Sequence, residues 1–261
     1  MKSFVVVLLC LFPLTMTAQQ EPIPPGADIN ARFEALRGAE MIMRGNWPSN
    51  PFATTVQGAP TAIAVSELSA LPGPARKEFE RGMDALSQAK GPQAAQHFQA
   101  AINEYPQFAA AYNNLGVALM YMKEYEKAQG IFQRALEMNS RSPLLLLNLC
   151  RADLQLQQFE EAEVLADKAA TLDQTAETLA VLGATKLVNN KYEETVATAG
   201  RVHIHDKNNT WAIAHFINAK ALQKLDRKDE AIAEYKQFLK ETPGSTWAPT
   251  AQAALKQLGA K

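Results

Sequence analysis

Small residues recur along the chain at a nearly constant spacing. One column has steps of 34, 34, 33 and 36 residues and consists of Gly82, Gly116, Cys150, Gly183 and Ala219. Three further columns keep the same four steps: they are Ala94, Ala128, Ala162, Thr195, Ala231; then Phe98, Phe132, Ala166, Ala199, Tyr235; and then Ala101, Ala135, Ala169, Val202, Phe238. Four columns in one register over five copies predict a repeat architecture.

Each copy contains two amphipathic stretches separated by a polar turn, a pattern typical of a helix pair. Small residues fit where two helices cross closely, because a larger side chain would push the backbones apart. Helix breakers such as Gly91, Pro106, Pro143 and Pro243 fall between the predicted helices or copies. One helix pair cannot bury its own apolar face, so stacked neighbours must share one core. The pattern therefore predicts an all-α solenoid.

The second copy carries a family resemblance. Its first helix contains Tyr112, Leu115 and Gly116, and its second helix contains Tyr125, Ala128, Phe132 and Ala135. These residues resemble the signature of the tetratricopeptide repeat (TPR) family, whose period is about 34 residues. The resemblance implies five TPR pairs at residues 75–108, 109–142, 143–175, 176–209 and 212–245.

Residues 246–261 are predicted to form a capping helix, with Trp247, Ala251, Leu255 and Leu258 on one face. The later copies depart from the pattern, with Thr195 in a column of alanines. Ala166 and Ala199 also replace the aromatic residue of their column. We therefore expect looser or differently filled packing in repeats three to five.

The N-terminus has the three-part pattern of a signal peptide at residues 1–18. Lys2 precedes an apolar run over residues 4–14, and small or hydroxyl residues lead to a cleavage site after Ala18. The alternative is a membrane anchor, but the run is far shorter than the ~20 residues of a spanning helix. Lipidation at Cys10 is disfavoured because the bulky Leu9 precedes it. The prediction is an exported protein, periplasmic or extracellular, without a stable membrane span after cleavage.

Residues 19–74 are predicted to be an irregular N-terminal linker with a short helix near residues 29–43 and an extended stretch near residues 54–65. The chain has a net charge of −1, so bulk electrostatics favour neither nucleic acid nor an anionic membrane. Signal cleavage would leave Cys150 as the single cysteine. Because Cys150 occupies a small-residue packing column, we interpret it as a buried inert thiol.

In TPR solenoids the first helices of successive pairs line a concave groove that holds ligands. The resemblance implies such a groove here. Its candidate peptide-binding residues are Phe79, Met83, Asn113, Asn114, Tyr121, Asn148, Arg151, Phe216 and Lys220.

Asn114 and Asn148 lie 34 residues apart and therefore occupy equivalent repeat positions. Their amides could pair with the backbone of an extended peptide, or they could be solvated or bonded to neighbouring helices. The apolar candidates suit an amphipathic helix or an apolar anchor, although core packing is the alternative for Met83. Asn114 matches one position of the family's carboxylate clamp, but Phe79 and Leu144 replace its lysines. The clamp mode is therefore disfavoured.

His203, His205 and Asp206 have a spacing that suggests metal ligands. Residues two apart on a helix point to different faces, so we predict no metal site there. Carboxylates at the starts of second helices, such as Glu126 and Glu160, complement the helix dipole and need no acid–base role.

The sequence thus predicts no catalytic residues and no cofactor. The predicted function is a non-catalytic protein–protein interaction scaffold or adaptor of the cell envelope, which binds a protein or peptide partner in the groove. The alternatives are an envelope assembly or secretion factor, a structural protein that self-associates, and a hydrolytic enzyme.

Overall fold

The computed structural model describes residues 65–206, 211–245 and 247–260. Within these residues the chain forms twelve α-helices and no strand. A short helix, α1 (Val65–Ala70), comes first, and α12 (Ala248–Gln257) comes last. Between them lie five helix pairs: α2 (Gly73–Ser87) with α3 (Gly91–Glu104), α4 (Ala109–Tyr121) with α5 (Tyr125–Met138), α6 (Pro143–Gln155) with α7 (Phe159–Leu172), α8 (Ala176–Val188) with α9 (Tyr192–His205), and α10 (Ile213–Lys224) with α11 (Lys228–Glu241).

The predicted all-α solenoid of helix pairs with a C-terminal capping helix is confirmed. The predicted signal peptide, the short helix near residues 29–43 and nearly all of the extended stretch near residues 54–65 lie outside the described residues. The structure adds α1, which lies inside the segment predicted to be an irregular linker.

The turn within each pair has the same backbone geometry. One residue per turn adopts a positive φ, and these residues are Ala89, Lys123, Gln157, Asn190 and Asp226. The backbone N–H of the next residue donates a hydrogen bond to the carbonyl five residues earlier, as the N–H of Lys90 does to the carbonyl of Ala85 at 2.9 Å. This is the Schellman motif, in which a left-handed residue ends the helix. Glycine usually occupies that position, but in this chain other residues do.

Small residues bring the two helices of a pair into close contact. In the first two pairs an aromatic ring lies directly over a glycine. A Cβ added to Gly82 would lie 2.6 Å from Cε1 of Phe98, and one added to Gly116 would lie 2.5 Å from Cε1 of Phe132. The fourth pair is filled differently, because a Cβ on Gly183 would meet nothing closer than 3.7 Å. This agrees with the departures expected from the sequence.

The first helix of each pair lies in the interior of the solenoid. From the second pair onwards it packs against its own second helix, against the second helix of the pair before it, and more lightly against the neighbouring first helices. As a result α4, α6 and α8 are buried on nearly every side, whereas second helices such as α5 bury a single stripe. The apolar core therefore runs from pair to pair as three clusters, which are joined by partly buried residues such as Leu136, Leu165 and Ile213.

The cap α12 closes the C-terminal end of this core. Ala251 and Ala254 are buried against Phe216 and Phe238, and the ring of Trp247 lies 6.1 Å from that of Phe216. The described helices are all too short or too polar to cross a membrane.

Candidate partner-binding site

Several predicted groove residues are buried in the core. Phe79 packs against Phe108 and Phe98, with ring centroids 4.7 and 5.6 Å away. Met83 is half-buried, and its Sδ lies 3.3 Å from Nδ2 of Asn114. Phe79 is therefore a core residue. Met83 also packs against the core, which was the alternative considered for it, and does not line an open groove.

Four polar side chains, three of them buried and the fourth 34% exposed, form a chain of hydrogen bonds across α4, α6 and α8, which we call the polar ladder. It consists of Asn113, Asn148, Arg151 and Glu177. Asn148 donates from Nδ2 to Oδ1 of Asn113 at 2.8 Å, and Arg151 donates to Oδ1 of Asn148 at 2.8 Å. A second guanidinium nitrogen of Arg151 reaches Oε1 of Glu177, also at 2.8 Å. The ladder ties three successive pairs together.

The ladder corrects the interpretation of the asparagines. Asn113, Asn114 and Asn148 are only 3%, 1% and 5% exposed. Asn113 and Asn148 bond to each other across α4 and α6, and Asn114 accepts from Asn113 on its own helix and contacts Met83 on α2. Asn148 pairs with Asn113, which is 35 residues away, and not with the equivalent Asn114. Arg151 is also buried, with 2% of its surface exposed, and it bonds to Asn148 and Glu177. Since these groups are buried, replacing them would cost stability before it changed any binding.

Of the remaining predicted residues, Tyr121 is 42% exposed at the end of α4, and Lys220 is half-buried on α10. Phe216 is fully buried, with its ring packed against Tyr235 and Phe238. Lys220 lies over that ring, with its Nζ 5.8 Å from the centroid. Phe216 and Lys220 share a surface cleft, which the sequence alone did not reveal.

This cleft lies between α10 and the cap α12 and has a volume of about 630 Å³. On the α10 side it is lined by Phe216, Lys220 and Lys224, which follow one another at helical spacing on one face. Trp247 and Thr250 are among the lining residues at the cap side. The described residues that line the cleft include two lysines and no carboxylate. We call it the C-terminal cleft.

Chemistry at the buried thiol is disfavoured. Complete burial raises the pKa of Cys150 to about 12, so the thiol stays protonated and is a poor nucleophile.

A second surface depression lies between α7 and the turn that joins α8 to α9. Its polar side chains already bond to one another. Glu163 accepts hydrogen bonds there from Asn189 at 2.7 Å and from Lys191 at 2.8 Å. Burial raises the pKa of Glu163, but these partners outweigh it and the net pKa is lowered.

Comparisons with known proteins agree with this architecture. Two family models of the tetratricopeptide repeat match residues 79–121 and residues 109–142. No curated protein matches the chain.

Solved structures of similar shape include MamA (residues 41 to the end) from Desulfovibrio magneticus RS-1, with a TM-score of 0.61 and 12% identity, covering 68% of this chain and 99% of that one. A TPR protein of Thermus thermophilus has a TM-score of 0.56 and 16% identity, covering 70% of this chain and 99% of that one. YrrB, a TPR protein with an unusual peptide-binding site, has a TM-score of 0.56 and 17% identity, covering 67% of this chain and 90% of that one. These likenesses extend to the fold alone. Together with the two family matches and the five helix pairs, they identify the chain as a tetratricopeptide repeat protein.

Proposed function

We propose that the chain is a non-catalytic scaffold that holds a protein partner through the C-terminal cleft. Tetratricopeptide repeats are in general interaction modules, so a protein-binding role follows from the fold. The cleft is the observation that supports this location, because Asn113, Asn148 and Arg151 bond to one another in the polar ladder and Asn114 is buried against Met83.

The lining of the cleft specifies the chemistry of the partner. Lys220 and Lys224 lie one helical turn apart on α10, and the half-buried Trp247 provides aromatic surface beside them, above the buried ring of Phe216. The Trp247 ring offers a contact for an apolar anchor, and the two ammonium groups on one face favour negative charge. The partner segment is therefore acidic and carries one large apolar side chain. The peptide-binding site of YrrB lends support by analogy of fold.

The place of action that we propose is the cell envelope, in the periplasm or outside the cell. The signal-peptide pattern of residues 1–18 supports it. Fractionation of cells, with sequencing of the mature N-terminus, tests this part: a chain that starts at Gln19 in the exported fraction supports it, and an uncleaved cytoplasmic chain contradicts it.

Charge reversal tests the cleft. The double variant Lys220→Glu, Lys224→Glu should weaken binding of a labelled acidic peptide with one tryptophan by at least about tenfold, since each close charge pair contributes on the order of 1 kcal/mol or more. Fluorescence anisotropy measures this, and Lys77→Glu on α2 is the matched control. Equal affinity of both variants and the unaltered chain would contradict the proposed location.

Two further measurements separate the alternatives. Light scattering of the purified chain distinguishes a monomeric scaffold from a structural protein that self-associates. Assays with broad esterase, protease and glycosidase substrates address catalysis, and turnover that the cleft variant abolishes would contradict a non-catalytic scaffold.

A further inference from the structure

Three helices near the C-terminal end bring metal-binding side chains together. His203 on α9, His215 on α10 and Glu234 on α11 each offer one ligand atom, and these atoms lie within 4.8 Å of one another. Within residues 65–206, 211–245 and 247–260 this is the one group of three such residues. His203 lies 12 residues before His215, so the sequence spacing did not reveal the cluster. His205, which the sequence pattern paired with His203, is exposed and outside it.

The geometry within the cluster is close. The imidazole rings of His203 and His215 stack, with centroids 4.1 Å apart and planes inclined by 27°. Nδ1 of His215 lies 2.6 Å from Oε2 of Glu234. Nε2 of His203 is enclosed and makes no hydrogen bond within the described part of the chain. A buried ring nitrogen without a partner is costly, and a cation that accepts its lone pair removes that cost.

A second carboxylate faces the other side of His215. Oε1 of Glu241 lies 3.6 Å from Nε2 of His215. Histidines that bind metals commonly present their second ring nitrogen to a carboxylate, which fixes the tautomer and the ring orientation. On the side of Glu234, Nδ1 of His215 would therefore bind the metal. On the opposite side, Nε2 would keep its contact with Glu241.

We propose that His203, His215 and Glu234 bind a divalent transition-metal ion of the zinc class. Two imidazoles and one carboxylate are ligands that Zn²⁺ accepts, with a water molecule in the fourth position. Ligand atoms around tetrahedral Zn²⁺ lie about 3.3 Å apart, so the His215–Glu234 contact has to open by less than about 1 Å, and separations of up to 4.8 Å elsewhere in the cluster have to close by up to about 1.5 Å. At least one of the two stacked imidazole rings also has to turn, because a metal ion lies in the plane of each ring that binds it. In the bound form the imidazole proton of His215 lies on Nε2, facing Glu241, so that the lone pair of Nδ1 binds the ion.

The bound ion would tie α9, α10 and α11 together. These helices join the fourth and fifth pairs, next to the C-terminal cleft. The ion would thus fix the position of the helix that carries Lys220 and Lys224, although the site does not depend on what the cleft binds.

The chain contains a matched pair that distinguishes a metal site from an ordinary ion pair. His97 Nδ1 lies 2.7 Å from Oε2 of Glu78, across the first helix pair, and the two residues are 19 apart, as His215 and Glu234 are. Arg81 also bonds to Glu78, at 2.6 Å, so a cation already occupies that carboxylate. No second imidazole joins His97 and Glu78 within the described residues. His97 therefore serves as the control for His215.

Titration of the metal-free full chain with ZnCl₂ by calorimetry tests the proposal. We expect one ion per chain, and Co²⁺ in place of Zn²⁺ should give the intense visible absorption of a tetrahedral site. His203→Gln and His215→Gln should each weaken binding by at least about tenfold, and Glu241→Gln by roughly 10- to 100-fold. His97→Gln should bind as the unaltered chain does.

His203→Gln is the deciding variant, because its Nε2 makes no hydrogen bond in the described structure that the change would break. Circular dichroism checks that it keeps the same helical content. Absence of saturable Zn²⁺ binding by the unaltered chain would overturn the proposal. So would equal affinity of His203→Gln, or a loss in His97→Gln that matches the loss in His215→Gln.

Discussion

At the scale of single residues, the interior of the solenoid contains more polar groups than its repeat pattern suggests. Asp153 on α6 is only 3% exposed and accepts a hydrogen bond from Gln129 at 2.8 Å. Thr195 fits a column of alanines because its hydroxyl donates to the carbonyl of Lys191 at 2.9 Å. Both of these buried polar groups have a partner, and the quality of that partner decides their contribution to stability.

Asp153 is predicted to reduce stability at neutral pH. Burial raises its pKa to about 6, more than the hydrogen bond from Gln129 lowers it, and the charge of Glu161 raises it further. An aspartate in the unfolded chain ionises near its ordinary pKa of 3.8. The native state therefore holds its proton more tightly, and stability falls as the pH rises from about 4 to about 6.

Asp153→Asn should remove this titration and raise the free energy of unfolding at pH 7 by about 1–2 kcal/mol, which allows for partial screening by solvent. Urea denaturation at pH 7 and at pH 4 measures the difference, which should vanish at the lower pH. Asp167→Asn, at an exposed position on α7, is the control and should change stability by less than about 0.5 kcal/mol. An equal gain at both pH values would show that charge is not the cause.

At the scale of helices, the contact between the two members of a pair depends on what faces the small residue. Gly116 lies under Phe132, which is 1% exposed and cannot swing away. Gly183 faces Thr198 across an ordinary contact distance of 3.7 Å. Glycine therefore has a steric reason at this column in the second pair, whereas the contacts of the fourth pair leave room for a larger residue.

Gly116→Ala should lower the free energy of unfolding by about 1–3 kcal/mol, because the new methyl overlaps the Phe132 ring. Gly183→Ala should be neutral or raise it by up to about 1 kcal/mol, since alanine favours the helix and finds room. The midpoint of urea unfolding measures both variants. A loss at Gly183 equal to that at Gly116 would mean that the pairs are packed alike.

The helices were predictable because close crossings need small residues, and this need recurs once per repeat at positions such as Gly82 and Ala94. The short helix α1 was not predictable, because six residues span too few turns to show a period. The turns were also hidden, since residues such as Ala89 and Lys123 adopt the left-handed conformation without being glycine.

The candidate site was predictable only in part. A first helix touches its partner and both neighbouring pairs, and its repeat pattern does not distinguish those faces from an open one. Phe79 and Asn148 therefore looked like groove residues but are buried. Phe216 and Lys220 do line the C-terminal cleft, but the cleft exists only because α12 stops short of filling the space beside α10.

At the scale of the whole molecule, the solenoid is a row of pairs in which each end exposes a face that an inner pair would bury. Three apolar clusters cover the row, and the last one joins the fifth pair to α12. The cap therefore has two roles in this structure: it covers Phe216 and Phe238, and it supplies one wall of the C-terminal cleft.

Removal of residues 246–261 should destabilise the fifth pair and make the chain associate. The deletion takes away the half-buried Trp247 together with the buried Ala251 and Ala254, and loss of these apolar contacts costs roughly 2–4 kcal/mol. We expect a lower urea midpoint for the C-terminal pair and a higher mass by light scattering, because an open solenoid end exposes apolar surface. A chain that ends after Leu258 keeps α12 and is the control. If the longer deletion unfolds at the same urea concentration and stays monomeric, the fifth pair is stable without its cap, and α12 serves the cleft alone.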